Sequence, residues 1–489
     1  MRPWLVALVF ALGVALGETA RATTFYVQPG GDDNGPGSSA NPWGTLQAAA
    51  DKVGAGDTVI VRAGTYAGFD LRTTGTAALP IAFQAEANVS IVADNARTPD
   101  GINVEGDVGN EIQYIVIDGF IVNGRARAGI RAARCRHVTI RNNKTDANGR
   151  WGIFTGFCDD LLIEGNECSH SVAEHGIYVS NSGDRPTIRR NVSHDNRANG
   201  IHMNGDVSQG GDGIISGALV EANVIYGNGA GGGSGINCDG VQGSTFRNNL
   251  LFDNHASGIS LYMIDGAAGA IGNVVVNNTI VVAADGRWAV NIQNASTGNK
   301  LYNNILFHAG ARGAVDISAD SQPGFVSNHN VVTDRFVIGA GSFLSLAAWR
   351  TATGQDADSV VGTPADTFVD AAAGNYRPKP AGPAAGRGDA AQAPPTDIDG
   401  TPRTPPVEAG AYELGGSPPP DAGPGAPDAA PGTADAAPAT ADAPGAPRGE
   451  AVGCSCCTSG GGSWLGALVA AAIVVFVLSR RGRKGQRAR

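Results

Sequence analysis

The stretch Gly176-Ile177-Tyr178-Val179-Ser180 decides the fold, because its pattern returns 24 residues later as Gly200-Ile201-His202-Met203-Asn204. In both stretches apolar residues alternate with polar or aromatic ones at period two, which is typical of a strand with one buried face. Gly-Ile also stands at positions 129, 152, 235 and 258, and Ala289-Val290 continues the series. The series predicts stacked coils that each begin with such a strand.

Each unit contains two further short apolar runs, and an Asn separates them. These asparagines are Asn143, Asn166, Asn191, Asn223, Asn249, Asn278 and Asn304. Three short strands in 23 to 25 residues, without helix-length connections, predict an all-β fold, a right-handed parallel β-helix. We expect the Asn column to be architectural, with a left-handed backbone and side chains hydrogen-bonded to the Asn above and below.

Composition agrees with a turn-rich β fold. The chain has 489 residues, 71 of them Gly, and its formal net charge is -10. Abundant Gly argues against helical bundles, because Gly weakens helix interiors. The negative charge argues against nucleic acid as a partner.

Both ends of the chain predict export and attachment to a surface. Residues 1–22 combine Arg2, an apolar run and Ala20-Arg21-Ala22, the pattern of a secretory signal peptide. Residues 415–453 are rich in Pro, Ala and Gly and predict a disordered stalk. Residues 454–489 hold Cys454 and Cys456, an apolar segment long enough for a marginal membrane span, and a basic tail.

That order of Cys motif, apolar segment and Arg cluster resembles the myxobacterial C-terminal sorting tag. The resemblance implies processing near the cysteines by a sorting protease, after transient membrane attachment, and a final place at the cell surface or outer membrane. An ordinary tail anchor is the alternative.

The start of the mature chain resembles the N-terminal cap of secreted β-helix proteins similar to family 9 pectate lyases. The resemblance rests on Thr24-Phe25-Tyr26-Val27, Gly31-Asp32-Asp33-Asn34-Gly35 and Asn41-Pro42-Trp43-Gly44-Thr45. It implies that a helix over about residues 45–52 covers the open end of the solenoid. We therefore divide the folded part into a cap with the first coils (23–128), the repeats (129–345) and a closing segment (346–414). The closing segment looks like that of choice-of-anchor β-helix proteins.

The polar positions of the first strands predict a site. Residues two and four places after each Gly are expected on the outer face, with neighbouring coils about 4.8 Å apart. They are Tyr178, Ser180, His202, Asn204, Asn237, Asp239, Ser260, Tyr262, Asn291 and Gln293. Such a strip suits a sugar chain, whose hydroxyls need donors and acceptors and whose rings need aromatic surface.

Two long turns point to a cleft on this strip. The distance from Gly to Asn is 14 or 15 residues in most coils but 23 and 20 in the coils at Gly200 and Gly258. The extra residues are expected to bring Asp206, Asp212 and Asp265 toward Asp239, a grouping of oxygens that suits Ca²⁺. Ordinary Gly-rich turns are the alternative.

The resemblance implies a calcium-assisted lyase in which Lys removes a proton from a uronate. None of the five lysines falls on the strip, so His202, Arg287 and His175 are the candidate bases. His is the better base near neutral pH. The candidate substrate-binding residues are Tyr178, Asn204, Asn237, Tyr262, Trp288 and Asn291.

Cys135 and Cys158 lie six residues after their Gly in adjacent coils, so we expect them to form a disulfide in an oxidising compartment.

Two functions from different classes remain open. The first is a lyase or epimerase acting on an acidic polysaccharide at the cell surface. The second is a non-catalytic adhesin or matrix-binding module, which the missing Lys favours. A hydrolase ranks third, because only Asp239 is clear among the carboxylates that it needs.

Overall fold

Residues 22–415 are described by a computed structural model, and they wind into a right-handed parallel β-helix, as predicted. Three parallel sheets run along the solenoid, with twelve strands in each. We name them sheet 1, sheet 2 and sheet 3, in the order in which the chain visits them after each Gly-Ile pair. The predicted three strands per coil are therefore confirmed.

The strands of each sheet follow one another along the solenoid. Sheet 1 contains Phe69–Leu71, Ile102–Glu105, Ala128–Arg136, Trp151–Asp159, Ile177–Ser180, Ile201–Asn204, Ser234–Asp239, Ser257–Tyr262, Val290–Ile292, Val315–Ile317 and Phe336–Ile338, with Ile112–Gln113 paired beside Ala128–Arg136. Sheet 2 contains Thr24–Val27, Thr58–Val61, Ile81–Ala85, Ile115–Asp118, Thr139–Arg141, Leu162–Glu164, Thr187–Arg189, Leu219–Glu221, Thr245–Arg247, Val274–Val276, Lys300–Tyr302 and Val326–Asn328. Sheet 3 contains Gly64–Ala67, Val89–Ala93, Ile121–Asn123, Lys144–Asp146, Glu167–Ser169, Val192–His194, Val224–Tyr226, Leu250–Phe252, Thr279–Val282, Ile305–His308, Val331–Val332 and Val360–Val361.

A few elements lie outside these sheets. Two small strand pairs are Ile215–Ser216 with Val241–Gln242 and Phe368–Asp370 with Asn375–Pro378. The α-helices are Leu46–Ala50, Leu346–Thr353 and Pro364–Thr367, and the 3₁₀ turns are Val207–Gln209, Ala319–Ser321 and Ala371–Ala373.

Stacked aliphatic side chains fill the inside of the solenoid. Ile177 lies opposite Ile201, and Val179 lies opposite Met203, in register across neighbouring strands. All four are buried in the main core. The alternation read from the sequence therefore assigns the inward and outward positions of sheet 1 correctly.

The Gly before each Ile has a steric cause. A Cβ on Gly176 would lie 2.2 Å from Ser193 Oγ, and one on Gly200 would lie 2.5 Å from Ile225 Cγ2. Side chains of sheet 3 thus occupy the space that a larger residue needs.

The Asn column forms a continuous buried ladder, as expected. Asn166 Oδ1 accepts from the backbone N–H of Asn143 and from its Nδ2, each at 3.0 Å, and the pattern repeats up to Asn330. The expected left-handed backbone is wrong for the ladder residues themselves. The residue before each Asn adopts it instead, for example Arg190 at φ 54° and Ala222 at φ 54°. The preceding residue makes the sharp corner, and the Asn follows it to bond along the stack.

Helices cover both ends of the solenoid. The N-terminal helix Leu46–Ala50 is shorter than the predicted 45–52, is capped by Thr45, and buries Leu46, Ala49 and Ala50. At the other end, Trp349 of Leu346–Thr353 stacks on Phe336 with ring centroids 4.8 Å apart.

The rest of the closing segment lies on the outer face of sheet 3. Phe368 and Tyr376 bury there against Phe252 and Phe307. The left-handed corner residues Asn248 and Asn277 donate to the carbonyls of Thr396 and Glu408. The segment thus covers the side of the solenoid as well as its end.

The predicted disulfide is not formed. Cys135 and Cys158 are partners on adjacent strands, but both are free buried thiols. Each sulfur contacts a carbonyl of its own strand, Ala133 O at 3.1 Å and Gly156 O at 3.3 Å.

Most of the predicted signal peptide, the stalk, Cys454, Cys456 and the apolar segment lie outside the described residues. Among residues 22–415, no helix is both long and apolar enough to span a bilayer.

Candidate functional site

Sheet 1 carries a column of outward side chains in register. Tyr178, His202, Asn237, Ser260 and Asn291 lie opposite one another on successive strands. The column continues to Asp316, opposite Asn291, which sequence reasoning did not include. The second column holds Ser180, Asn204, Asp239 and Tyr262 in the same way.

The column divides into a closed half and an open half. In the closed half Tyr178 is 6% exposed, His202 5% and Asn204 4%, because packed side chains and the long turns cover the face. In the open half, which consists of Asn291, Gln293 and Asp316, the side chains are only half-buried. A ligand from solvent therefore reaches the open half more readily.

Two buried histidines dominate the closed half. His175 Nδ1 accepts from the backbone N–H and the amide of Asn199, so its proton lies on Nε2. That nitrogen lies 3.0 Å from His202 Nδ1 and donates to it, which leaves the His202 proton on Nε2. His202 Nε2 is buried and has no hydrogen-bond partner in the described part of the chain.

This network disfavours both histidines as bases. Burial lowers the pKa of His202 to about 3 and lowers that of His175 well below its usual range. Both rings are therefore neutral at physiological pH. The hydrogen bonds hold His202 as a donor at Nε2, whereas a general base needs a free lone pair there.

Aromatic and charged neighbours hold the histidines in place. Tyr178 stacks on His202 with ring centroids 4.7 Å apart and planes at 7°. Glu174, buried next to His175, accepts from Trp151 Nε1 at 2.7 Å and from Arg150 Nε at 2.7 Å. The closed half is thus a packed polar and aromatic cluster. Sequence reasoning missed Glu174 and Trp151, because they stand outside the positions counted from Gly.

The predicted calcium site is not formed. Asp239 is buried, and its carboxylate accepts the backbone N–H groups of Ile264, Asp265 and Gly266 at 2.8 to 3.0 Å. It anchors the long turn, and burial raises its pKa. Oδ1 accepts two of these N–H groups and Oδ2 accepts one, so the carboxylate is committed to the turn.

The other three carboxylates are also engaged or separated. Asp206 caps the 3₁₀ turn by accepting from Ser208, and exposed Asp212 accepts from Ile214 N in its own turn. Asp265 lies near Asp206, and burial followed by this like charge raises its pKa. No group of three metal-binding side chains forms within residues 22–415. The predicted set therefore does not fit Ca²⁺.

The remaining predicted residues are placed as follows. Trp288 is buried, with Phe343 at a centroid distance of 6.0 Å, so it offers no open platform. Arg287 is exposed and donates to Gly233 O at 2.8 Å. A guanidinium has no acceptor and acts as a cation rather than as a base. Tyr262 is half-buried at the end of its strand.

Asp316 is the ionisable group of the open half. Its Oδ1 is buried and has no hydrogen-bond partner in the described chain. Burial raises its pKa to about 6, although Gln293 and Arg312 oppose the rise. A sequence signal existed: Ala314-Val315-Asp316 repeats the pattern of Ala289-Val290-Asn291, one coil beyond the last unit that we counted.

Arginines and an exposed aromatic ring border the open half. Arg287, Arg312 and Arg335 each stand one to three residues before a strand of sheet 1, in three successive coils. Phe343 is 57% exposed, and the Arg335 guanidinium lies 5.2 Å from its ring centroid. The border therefore combines positive charge with a partly exposed aromatic ring.

A second concavity, of about 220 Å³, lies on the outer face of sheet 3. Its polar side chains pair with one another: Lys144 Nζ lies 2.8 Å from Glu167, and His170 Nδ1 lies 2.7 Å from Asp146 Oδ1. Burial lowers the pKa of His194, but the hydrogen bonds to Asp195 and Glu167 together raise it to about 9. Because these side chains already have partners, the open half of sheet 1 is the stronger candidate.

Comparison with known proteins agrees with the fold. Residues 25–171 match a family model described as the Pel9A-like, right-handed beta helix region. The uncharacterized protein YwoF of Bacillus subtilis is 23% identical over 437 residues, covering 75% of this chain and 93% of that protein. Pectate lyase PEL9 of Emericella nidulans is 27% identical over 230 residues, covering 43% of this chain and half of that protein.

Two solved structures are similar at low identity. The crystal structure of pectate lyase Pel9A has a TM-score of 0.51 at 16% identity, covering 80% of this chain and 96% of that one. The complex of XylC with xylose has a TM-score of 0.53 at 12% identity, covering 80% of this chain and 98% of that one. At these identities the likeness shows a shared fold.

Proposed function

We propose that this protein binds a polysaccharide along the outer face of sheet 1 and acts on an acidic glycan as a lyase or epimerase. One observation carries the proposal. The outward column of sheet 1 stays polar over five successive strands and ends in a half-buried carboxylate bordered by arginines.

The side chains of the open half suit a sugar chain. Asn291 and Gln293 supply amide groups that match sugar hydroxyls. The exposed face of Phe343 suits the apolar face of a sugar ring. Strand neighbours repeat about every 4.8 Å, so successive sugars meet similar groups.

The arginines favour an acidic glycan. The chain has a net charge of -10, yet Arg287, Arg312 and Arg335 cluster beside this one stretch of sheet 1. A guanidinium pairs well with a carboxylate, because two N–H groups match its two oxygens. The similarity to a pectate lyase supports the same substrate class.

Surface display is part of the proposal and rests on the sequence of the two ends. The signal-like residues 1–22 and the tag-like residues 454–489 support export followed by attachment at the cell surface.

A non-catalytic adhesin is the second candidate, and one observation favours it. The four lysines within residues 22–415, Lys52, Lys144, Lys300 and Lys379, all lie outside sheet 1. A lysine base of the kind expected from the family 9 resemblance is therefore missing from the strip.

An activity screen of the full chain separates the two candidates. Pectate, alginate and glycosaminoglycans are incubated with the protein, with calcium and with a chelator, and unsaturated product is followed by ultraviolet absorbance. Epimerisation is followed by NMR of the polymer. A product from one acidic glycan supports the enzyme. Glycan binding without any product supports the adhesin, and neither binding nor product refutes the proposal.

A further inference from the structure

The open half holds an ionisable group whose role neither the sequence nor the comparisons assign. We infer that Asp316 is the catalytic residue that accepts a proton from the substrate at this site. The inference rests on the proposed function, since it assigns a base to the lyase or epimerase reaction.

The position of Asp316 is the first argument. It continues the outward column one strand beyond Asn291, and its side chain is half-buried, so a chain bound along the column reaches it. Oδ1 is buried without a hydrogen-bond partner among residues 22–415. A carboxylate with a poorly solvated oxygen is more basic than one in water.

The surroundings of Asp316 leave it available at neutral pH. Gln293 is hydrogen-bonded to it, and the charged group that acts on it is Arg312, from the turn before its strand. Its neighbours on the adjoining strands, Asn291 and Val337, carry no charge, and Arg335 is bonded to Ala311 O. With a pKa of about 6, the carboxyl group is ionised at pH 7 yet remains basic enough for proton transfer.

The other candidate bases fit less well. His202 holds its proton on Nε2, and Arg287 donates to a carbonyl. The carboxylate of Asp239 is already occupied by three backbone N–H groups. Asp265 is exposed on the long turn, and its Oδ2 accepts from Asn204 Nδ2 at 3.4 Å, beside the closed half.

The step balances without a co-reactant. Asp316 takes the proton from the ring carbon next to the carboxyl group of a uronate. The electron pair of that C–H bond forms a carbon–carbon double bond, and the bond to the neighbouring sugar oxygen breaks. The leaving oxygen takes a proton from water, and Asp316 later returns its proton to solvent. Arg312 is placed to pair with the uronate carboxylate while charge develops.

The test compares D316N with D320N in the full chain, on the glycan that gives product. Asp320 is an exposed neighbouring carboxylate in the 3₁₀ turn Ala319–Ser321 and serves as the matched control. We expect D316N to lower kcat about 100-fold or more, with KM changed only a few-fold, while D320N resembles the wild type. D316E, which keeps the carboxylate, should recover part of the rate. Circular dichroism checks that each variant is folded.

The pH dependence of the rate gives a second test, because a purely structural role of Asp316 would leave it unchanged. Wild-type kcat/KM should fall about tenfold per pH unit below the Asp316 pKa of about 6, and D316N should lose this limb. A D316N enzyme that keeps its rate and its acid limb overturns the inference while the proposed function stands. A wild type without product on any glycan overturns both, and that outcome appears before any variant is made.

Discussion

Replacing Asn191 by Ala tests whether the Asn ladder supports the solenoid. The Asn191 side chain is fully buried. Its Oδ1 accepts from the backbone N–H of Asn166 at 2.9 Å and from Asn166 Nδ2 at 3.0 Å. Its Nδ2 donates to Ile163 O at 2.9 Å and to Asn223 Oδ1 at 3.0 Å. The Ala variant loses all four bonds.

The expected loss of stability is large. Each hydrogen bond contributes about 1 kcal/mol net, so four of them amount to about 4 kcal/mol. Buried donors left without an acceptor, such as the N–H of Asn166, cost about 1 to 3 kcal/mol each. The loss of about 4 kcal/mol is therefore a lower bound. Domains are commonly stable by about 5 to 15 kcal/mol, so the variant should be severely weakened.

Urea unfolding followed by circular dichroism and Trp fluorescence measures the change. Asn123→Ala is the matched control, because Asn123 is exposed on sheet 3 and its loss should change the free energy of unfolding by less than about 0.5 kcal/mol. A loss at Asn191 of under about 1 kcal/mol, comparable to the control, refutes the reasoning that the ladder is a main support.

Buried ionisable groups give three further measurable effects. Asp239→Asn should loosen the turn at residues 263–272, because an amide cannot accept all three backbone N–H groups. Limited proteolysis should then cut the variant first in this turn. Cleavage that is unchanged from the wild type contradicts the prediction. Burial and Glu408 raise the pKa of Glu413 from 4.5 to about 7, so its stabilising contribution is complete below pH 4.5 and is lost as pH rises to about 7. Glu413→Gln should flatten that part of the stability profile, and an unchanged slope counts against the assignment. Burial lowers the pKa of His202 from 6.5 to about 3, so its contribution to the free energy of unfolding is complete above pH 6.5 and is lost as pH falls toward 3. NMR should find the His202 ring neutral at pH 6. A charged ring at that pH contradicts the buried network.

The fold was readable from sequence because its causes are local and repeated. Ile177 and Val179 alternate with outward residues within one strand, and the next coil repeats the pattern in register. The Gly before each Ile marks a place without room for a side chain, so its recurrence reports the coil length. The Asn ladder needed only one suitable residue at each corner.

The site was less readable, because its contacts join distant parts of the chain. His202 occupies the outward position that its spacing predicts, but its role depends on His175, 27 residues earlier. The sequence suggests that Asp239 is a metal ligand, but in the structure the turn 25 to 27 residues later donates its backbone N–H groups to the Asp239 carboxylate. Nothing near either residue in sequence encodes these partners.

The sequence by itself determined the β-helix and the inward and outward faces of sheet 1, since alternation and repeat spacing set these locally. Only the tertiary structure decided which part of the strip is open, and it moved the leading candidate from His202 to Asp316. The physical reason is burial. The pKa and accessibility of an outward side chain depend on what covers it, and the covering residues come from other coils.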